Sequence, residues 1–200
     1  METRINQPVG QSLLETVFAL GVLITIIVAT IALTTSSIAS YSQSEYAGIA
    51  NNLAREGVEV VRNIRDTNWL ASSTIPWYQG LLTDDQTAVP VFDATNGAWV
   101  LDFSPDSITD QTAQLYQYPL IDGGAYTHTV TEQLTPYRRL IALESVCINA
   151  ATGVETVTDS CVDGSTEDWV GALRIAVTVA WSERNRDHAL TIHDVLYDWK

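Results

Sequence analysis

From Thr16 to Ser44 the chain carries no Asp, Glu, Lys or Arg, and Val17 to Leu33 is almost wholly apolar. At roughly 1.5 Å per residue a run of this length crosses a bilayer core as a helix. The apolar positions then thin to Tyr46, Ile49, Leu53, Val60, Val61 and Ile64, with Glu45, Arg55, Glu56, Glu59, Arg62 and Arg65 between them. That spacing is helical and leaves one apolar stripe to be covered. The pattern therefore predicts one helix from the membrane run to Asp66, Thr67 and Asn68, where it ends. From Gly10 to Asp66 it would measure about 80 Å. Thr34 to Ser44, rich in Ser and Thr, has the poorest helix propensity and is where softening is expected. Glu59 with Arg62, Arg62 with Asp66 and Arg55 with Glu59 stand three or four residues apart, as ion pairs on one helix face do.

Beyond the helix the period changes to two. Leu173, Ile175, Val177, Val179 and Trp181 alternate with Arg174, Ala176, Thr178 and Ala180, and after the polar turn Glu183–Asp187 the run Ala189 to Tyr197 returns as a hairpin partner. Tyr126 to Glu132 and Arg138 to Ile148 form a second expected pair, joined across Pro136. Ala98 to Asp102 reads as a short strand before Pro105, and Asp84-Asp85 and Asn96-Gly97 mark turns. The expected fold is α+β: a long N-terminal helix, spanning a membrane in its first half, packed on a four-stranded antiparallel sheet. Trp69, Trp77 and Tyr78 are expected to cap the helix end, burying aromatic area. The sharper alternative is a sugar-binding platform, with Trp77, Tyr78 and Trp99 in an adhesive role.

Composition narrows the function. With 24 acidic and 10 basic residues and a net charge of -14, the chain lacks the cations that displace counterions from phosphates, so no direct nucleic-acid partner is expected. Cys147 and Cys161 read either as a local disulfide in an oxidising compartment or as two buried thiols. A disulfide would restrict the unfolded chain by about 3 kcal/mol. No metal motif is present; Asp163, Glu167 and Asp168 could form a calcium loop but lack its spacing, and a solvated loop is the expectation. His128, His188 and His193 fall on different strands, and no P-loop, GxSxG or HExxH occurs, so neither catalysis nor a cofactor is expected.

One acid interrupts the start of the apolar run. Glu15 follows Gly10-Gln11-Ser12-Leu13-Leu14 and precedes Thr16-Val17-Phe18-Ala19-Leu20. A carboxylate in an apolar span is costly, so it invites a partner, unless it rests at headgroup level near the helix N-terminus. Arg4 ahead of the span favours a cytoplasmic N-terminus. An ordinary signal peptide would end in a small-residue cleavage site, for which Ser37-Ile38-Ala39 is a weak candidate.

Gly10, Gln11 to Glu15 and the apolar run together resemble the cleavage and methylation motif of type IV prepilins and pseudopilins. That resemblance implies a leader of residues 1–10, cut by a prepilin peptidase after Gly10. It implies an N-methylated Gln11, and a Glu15 that meets the N-terminal amine of a neighbouring subunit. It divides the chain into leader 1–10, transmembrane and stalk helix 11–68, and globular β domain 69–200, often with a disulfide-closed loop near the C-terminus. Ala54 to Glu59 and Arg65 to Trp69 are similar to segments of minor, pilin-modification-type pilins. Two departures stand out: Gln11 replaces the usual aromatic, which opens its cyclisation as an alternative to methylation, and Ala32 replaces a common proline. The expected function is a filament subunit, held in the inner membrane before assembly and at the cell surface after it, with prepilin peptidase and other pilin subunits as partners. The rival is a signal-anchored extracytoplasmic binding or adhesion domain that never polymerises.

Overall fold

The structure, a computed structural model, describes residues 9–71, 75–83, 86–118, 125–131, 133–149, 152–158, 161 and 168–198. The chain divides into two compact units, 1–45 and 46–200. Helix α1 runs over Val9–Ala71, about one turn past the expected stop at Asn68. The Ser/Thr-rich stretch is helical throughout. Its hydroxyls bond backward, Thr34 Oγ1 to the Thr30 carbonyl at 2.9 Å and Ser44 Oγ to that of Ser40 at 2.9 Å. They satisfy themselves on the helix's own carbonyls instead of competing for an alternative turn.

In the second unit eight strands follow: β1 (Thr87–Asp93), β2 (Ala98–Asp102), β3 (Gln114–Gln117), β4 (Tyr126–Thr127), β5 (Gln133–Asn149), β6 (Glu155–Thr158), β7 (Asp168–Glu183) and β8 (Arg186–Tyr197). The α+β class is as expected, but the antiparallel sheet has eight strands, not four. Beyond strands at the four expected places, β4, β5, β7 and β8, and the short β2 expected over Ala98 to Asp102, the structure adds β1, β3 and β6, of four to seven residues, and β1 carries Pro90, so alternation had little length in which to register. β5 is the organiser. One side pairs with β7 from Tyr137 to Asn149, and its other side is shared in turn by β3, β1 and β6. Pro136 lies within β5 and not in a connecting turn, and β4 pairs with β3 instead of the β5 segment expected for it.

The β7–β8 hairpin closes on Arg184 and Asn185, both at positive φ (50° and 64°), the geometry that matches the right-handed twist of the strands. β5 and β7 slip by one residue where Val146 faces Ala172 and Cys147 faces Val170, leaving Gly171 as the extra residue of a bulge. A side chain there would meet Ile148 Cδ1 at 2.0 Å, so Ile148 would have to move to admit one.

The core lies between the α1 stripe and one face of the sheet. Leu53, Ala54, Val58, Val61 and Ile64 pack in one cluster with Ile141, Leu143, Leu173, Ile175, Val177 and Val179. Trp77 is buried within that cluster, and Trp69 and Tyr78 pack against it. Asn68 Nδ2 ties the helix end to the carbonyls of Trp77 and Gln79, at 3.0 and 2.8 Å. Arg65 lays its guanidinium 4.6 Å from the centre of the Trp69 ring. Of the expected helix pairs, Arg62 meets Glu59, but its second nitrogen reaches Asp194 on β8 at 2.8 Å instead of Asp66.

Among the described residues two arginines are buried, Arg65 and, more completely, Arg139. Arg139, on β5, is 1% exposed. Its Nη1 lies 3.4 Å from Glu56 Oε1 and donates to the Leu53 carbonyl at 3.1 Å, both on α1. Burial pulls its pKa down from the ordinary value, and the Glu56 carboxylate opposes that pull. Because Glu56 is 41% exposed while Arg139 is enclosed, the two halves of the pair are unequal. Glu56→Gln strands a buried cation and is expected to cost about 3 kcal/mol, whereas Arg139→Met leaves a half-hydrated carboxylate and takes one donor each from the Leu53 carbonyl and His128 Nε2, and is expected to cost less. Urea unfolding of both variants checks the order.

Candidate functional site

Val9, Gly10 and Gln11 form the first residues of α1. Residues 1–8 of the expected leader lie outside the described residues, as do the side chains of Gly10 to Ser12. From Leu13 onward the side chains can be read. Every large apolar residue from Leu13 to Leu33 is exposed, between 45 and 73%. An 18-residue stretch of this helix has a mean hydropathy of 2.7 and none of it is buried. The helix is long and apolar enough to cross a membrane, and its apolar surface runs all round with no stripe. In water, exposure of this kind is opposed by about 25 cal/mol per Å², so a bilayer or other helices must cover it.

Glu15 stands exposed on this surface between Leu14 and Val17. Less than two turns further on, Gly21 opens a shallow notch walled by Leu14, Val17, Phe18, Val22 and Thr25. A Cβ at Gly21 would meet nothing within 4 Å, so no packing inside the chain requires glycine there.

Cys147 and Cys161 form a disulfide, with Cα atoms 5.4 Å apart. The bond ties β5, beside the Gly171 bulge, to the chain ahead of β7. Thirteen residues separate the bonded pair, and Asp163 and Glu167, which follow Cys161, lie outside the described residues. Asp168 opens β7. Among the described residues no group of three or more His, Cys, Asp or Glu is placed to hold a metal ion.

The three histidines do not converge. His188 stacks on Trp181 at 5.3 Å on the core-facing side of β8, and His193 pairs with Ala176 five residues away. His128 sits beside β4, where its Nε2 accepts from Arg139 Nε at 3.4 Å and its Nδ1 faces the Thr112 carbonyl at 3.1 Å. An acceptor at Nε2 places the single proton on Nδ1, so the ring is neutral. Burial, then the Arg139 charge, lower its pKa from 6.5 to about 3. Between those values the unfolded chain binds more protons than the folded one, so this ring's contribution is intact above pH 6.5 and is lost as pH falls towards 3. At pH 4.5 the loss is about 3 kcal/mol. Urea unfolding at pH 7 and 4.5 is expected to show that difference for the wild type relative to His128→Gln.

A second set of residues was not assembled by sequence reasoning. Near the C-terminal end of α1, Asn63, Thr67 and Asn68 face the β1–β2 hairpin across a cleft of about 830 Å³. Phe92 and Trp99 are cross-strand partners in that hairpin, with ring centres 5.3 Å apart. Of the aromatics named for the alternative, adhesive role, Trp99 lines this cleft, while Trp77 is only 6% exposed and is spent on the core. Gly57, where a Cβ would stand 2.8 Å from Val177 Cγ1 on β7, was also unassigned, although a glycine inside a helical pattern signals close packing. No protein-family model matches the chain, and no curated protein or solved structure matches it.

Proposed function

We propose that this chain is a structural subunit, of the minor-pilin kind, of a type IV pilus or type II secretion-like filament, processed between Gly10 and Gln11 by a prepilin peptidase. The observation that carries the reading is the junction itself: glycine, four residues, a lone glutamate, and then an uncharged helix whose apolar side chains are exposed all round. A membrane anchor needs the apolar surface but has no use for the carboxylate. A helix that leaves the bilayer for a packed filament core uses both, because an N-terminal ammonium and a carboxylate are each costly alone among apolar helices and tolerable together.

Cleavage after Gly10 turns Gln11 into residue one and puts Glu15 a single helical turn from the new amine, on the surface that a neighbour covers. Glycine suits the cut. It weakens the helix locally by about 1 kcal/mol relative to alanine, and a peptide bond must leave its helix to enter a protease. Methylation of the Gln11 amine would keep its charge, as the pairing with Glu15 requires. The notch at Gly21 gives a neighbouring helix a place to approach. In the second unit, the disulfide and the helix-backed sheet supply a body suited to an extracellular surface. The role is structural, with prepilin peptidase and other subunits as partners, and the inner membrane as the station before assembly.

The test is fractionation of a producing cell carrying an active assembly machine. Recovery of the processed chain in sheared surface fibres supports the reading. A chain confined to the membrane as an unassembled monomer would favour the anchored, non-polymerising domain instead.

A further inference from the structure

We propose that the cleft between the end of α1 and the β1–β2 hairpin binds a neutral oligosaccharide. Its walls are aromatic and amide: Phe92, Trp99 and Phe103 on one side, Asn63, Asn68 and Gln79 on the other. None of the residues lining it is charged, in a chain with 24 acids and 10 bases. Its volume of about 830 Å³ lies within the range of small-ligand sites. Phe92 is half exposed, so part of its ring is open to solvent beside Trp99. The C–H face of a pyranose stacks on such a ring, and planar side-chain amides match its vicinal hydroxyls by giving and accepting at once.

The hydrogen-bond inventory selects the ligand further. Asn68 spends both amide hydrogens on the carbonyls of Trp77 and Gln79, leaving Oδ1 as an acceptor fixed in place. Asn96, on the turn of the hairpin, gives one hydrogen to Asp93 Oδ2 at 2.6 Å, which also orients its oxygen as an acceptor. The Asn63 and Gln79 amides have no side-chain partner among the described residues and retain donors and acceptors. An acceptor-rich wall requires a ligand that donates, as hydroxyls do. A proline-rich peptide would stack on the same rings but offers carbonyls with few N–H groups, so it fits the wall less well. An acidic sugar fits worse. The cleft holds no cation, and the adjoining smaller one, which shares Asn63 and Trp99, carries Glu56, Glu59 and Asp66 with Arg62 as its one basic group.

The experiment uses the full chain in lipid nanodiscs, free of sugar-based detergent and independent of filament assembly. Saturation-transfer NMR is run against a panel of neutral hexose and N-acetylhexosamine tetrasaccharides, with sialyllactose and deca-proline alongside. The expected result is binding of a neutral tetrasaccharide, weakened about tenfold by Trp99→Ala through loss of the stacked ring, and weakened also by Asn63→Ala. Asn63 is exposed and outside the core, so its variant keeps the test valid if Trp99→Ala fails to fold. Absence of saccharide binding, preferential binding of sialyllactose or deca-proline, or binding indifferent to a folded variant would each overturn the assignment.

Discussion

Replacing Gly57 by valine is expected to lower the stability of the globular unit by about 3 kcal/mol or more, at the top of the range for overpacked cores. A Cβ at this position would lie 2.8 Å from Val177 Cγ1, 3.4 Å from its Cγ2 and 3.6 Å from Arg139 Cδ. Val177 has no way to yield. It is fully buried, β-branched, and set in a strand paired on both sides, with Ile141 of β5 and Ile192 of β8. Alanine is the sharper probe, because two effects of opposite sign meet in it. Helix propensity alone predicts that Gly57→Ala stabilises by about 1 kcal/mol. The contact predicts that the strand or the helix must shift, and the enclosed position of Val177 makes that the larger effect. Urea unfolding decides it: net destabilisation by alanine and greater loss with valine are expected, whereas stabilisation by alanine would mean that helix and sheet stand further apart.

Glu15→Leu is expected to leave membrane insertion intact or improved and to remove the chain from fibres. An acid in an apolar span opposes insertion, so leucine favours the membrane-held state. In a filament core the same change leaves the neighbouring Gln11 ammonium without its carboxylate. An uncompensated buried charge costs about 3 to 5 kcal/mol, which corresponds to at least a hundredfold less assembled subunit. Glu15→Gln separates charge from hydrogen bonding: it keeps a polar side chain of the same shape and is expected to assemble nearly as poorly. Immunoblots of sheared fibres and of membranes read both. Normal fibres from Glu15→Leu cells would remove the role given to this residue, whatever the fate of the leader.

What the sequence discloses follows from range. The long helix is legible because its signal is local and repeated over Val9–Ala71. The β7–β8 hairpin is legible for the same reason, with five alternating apolar positions and a polar turn. The short β2 was legible over Ala98–Asp102, but β3 and β6, with four residues each, were not, and β4 keeps only two residues of the strand expected from Tyr126 to Glu132; these depend on pairing with one another and with β5. β5 itself was shortened in expectation by Pro136, a residue that reads as a break. In the structure Pro136 is exposed near the strand's start, where the flanking residues Thr135 and Tyr137 hold the core face.

The sites divide in the same way. Gly10, Gln11 and Glu15 are contiguous, so their relation is visible along the chain, and the two cysteines are close enough to suggest their bond. Arg139, Glu56 and His128 are not contiguous. Nothing local marks Arg139 as enclosed, because Arg138 beside it differs only in the face of β5 it occupies. The aromatic and amide cleft likewise unites helix residues 63 to 68, Gln79 and a hairpin more than twenty residues further on. Trp77 stands among polar residues, yet it is buried as expected of an aromatic at the helix end, because aromatic area outweighs its sequence neighbourhood.

The central claim is that the chain is a substrate for processing at Gly10, and the intact mass with the N-terminal peptide tests it most directly. The chain is expressed with and without a prepilin peptidase, with Gly10→Ala as the control for the site. The account predicts a product beginning at Gln11 only when the peptidase is present, and an uncut Gly10→Ala chain. A Met1 product of unchanged mass beside an active peptidase would contradict it.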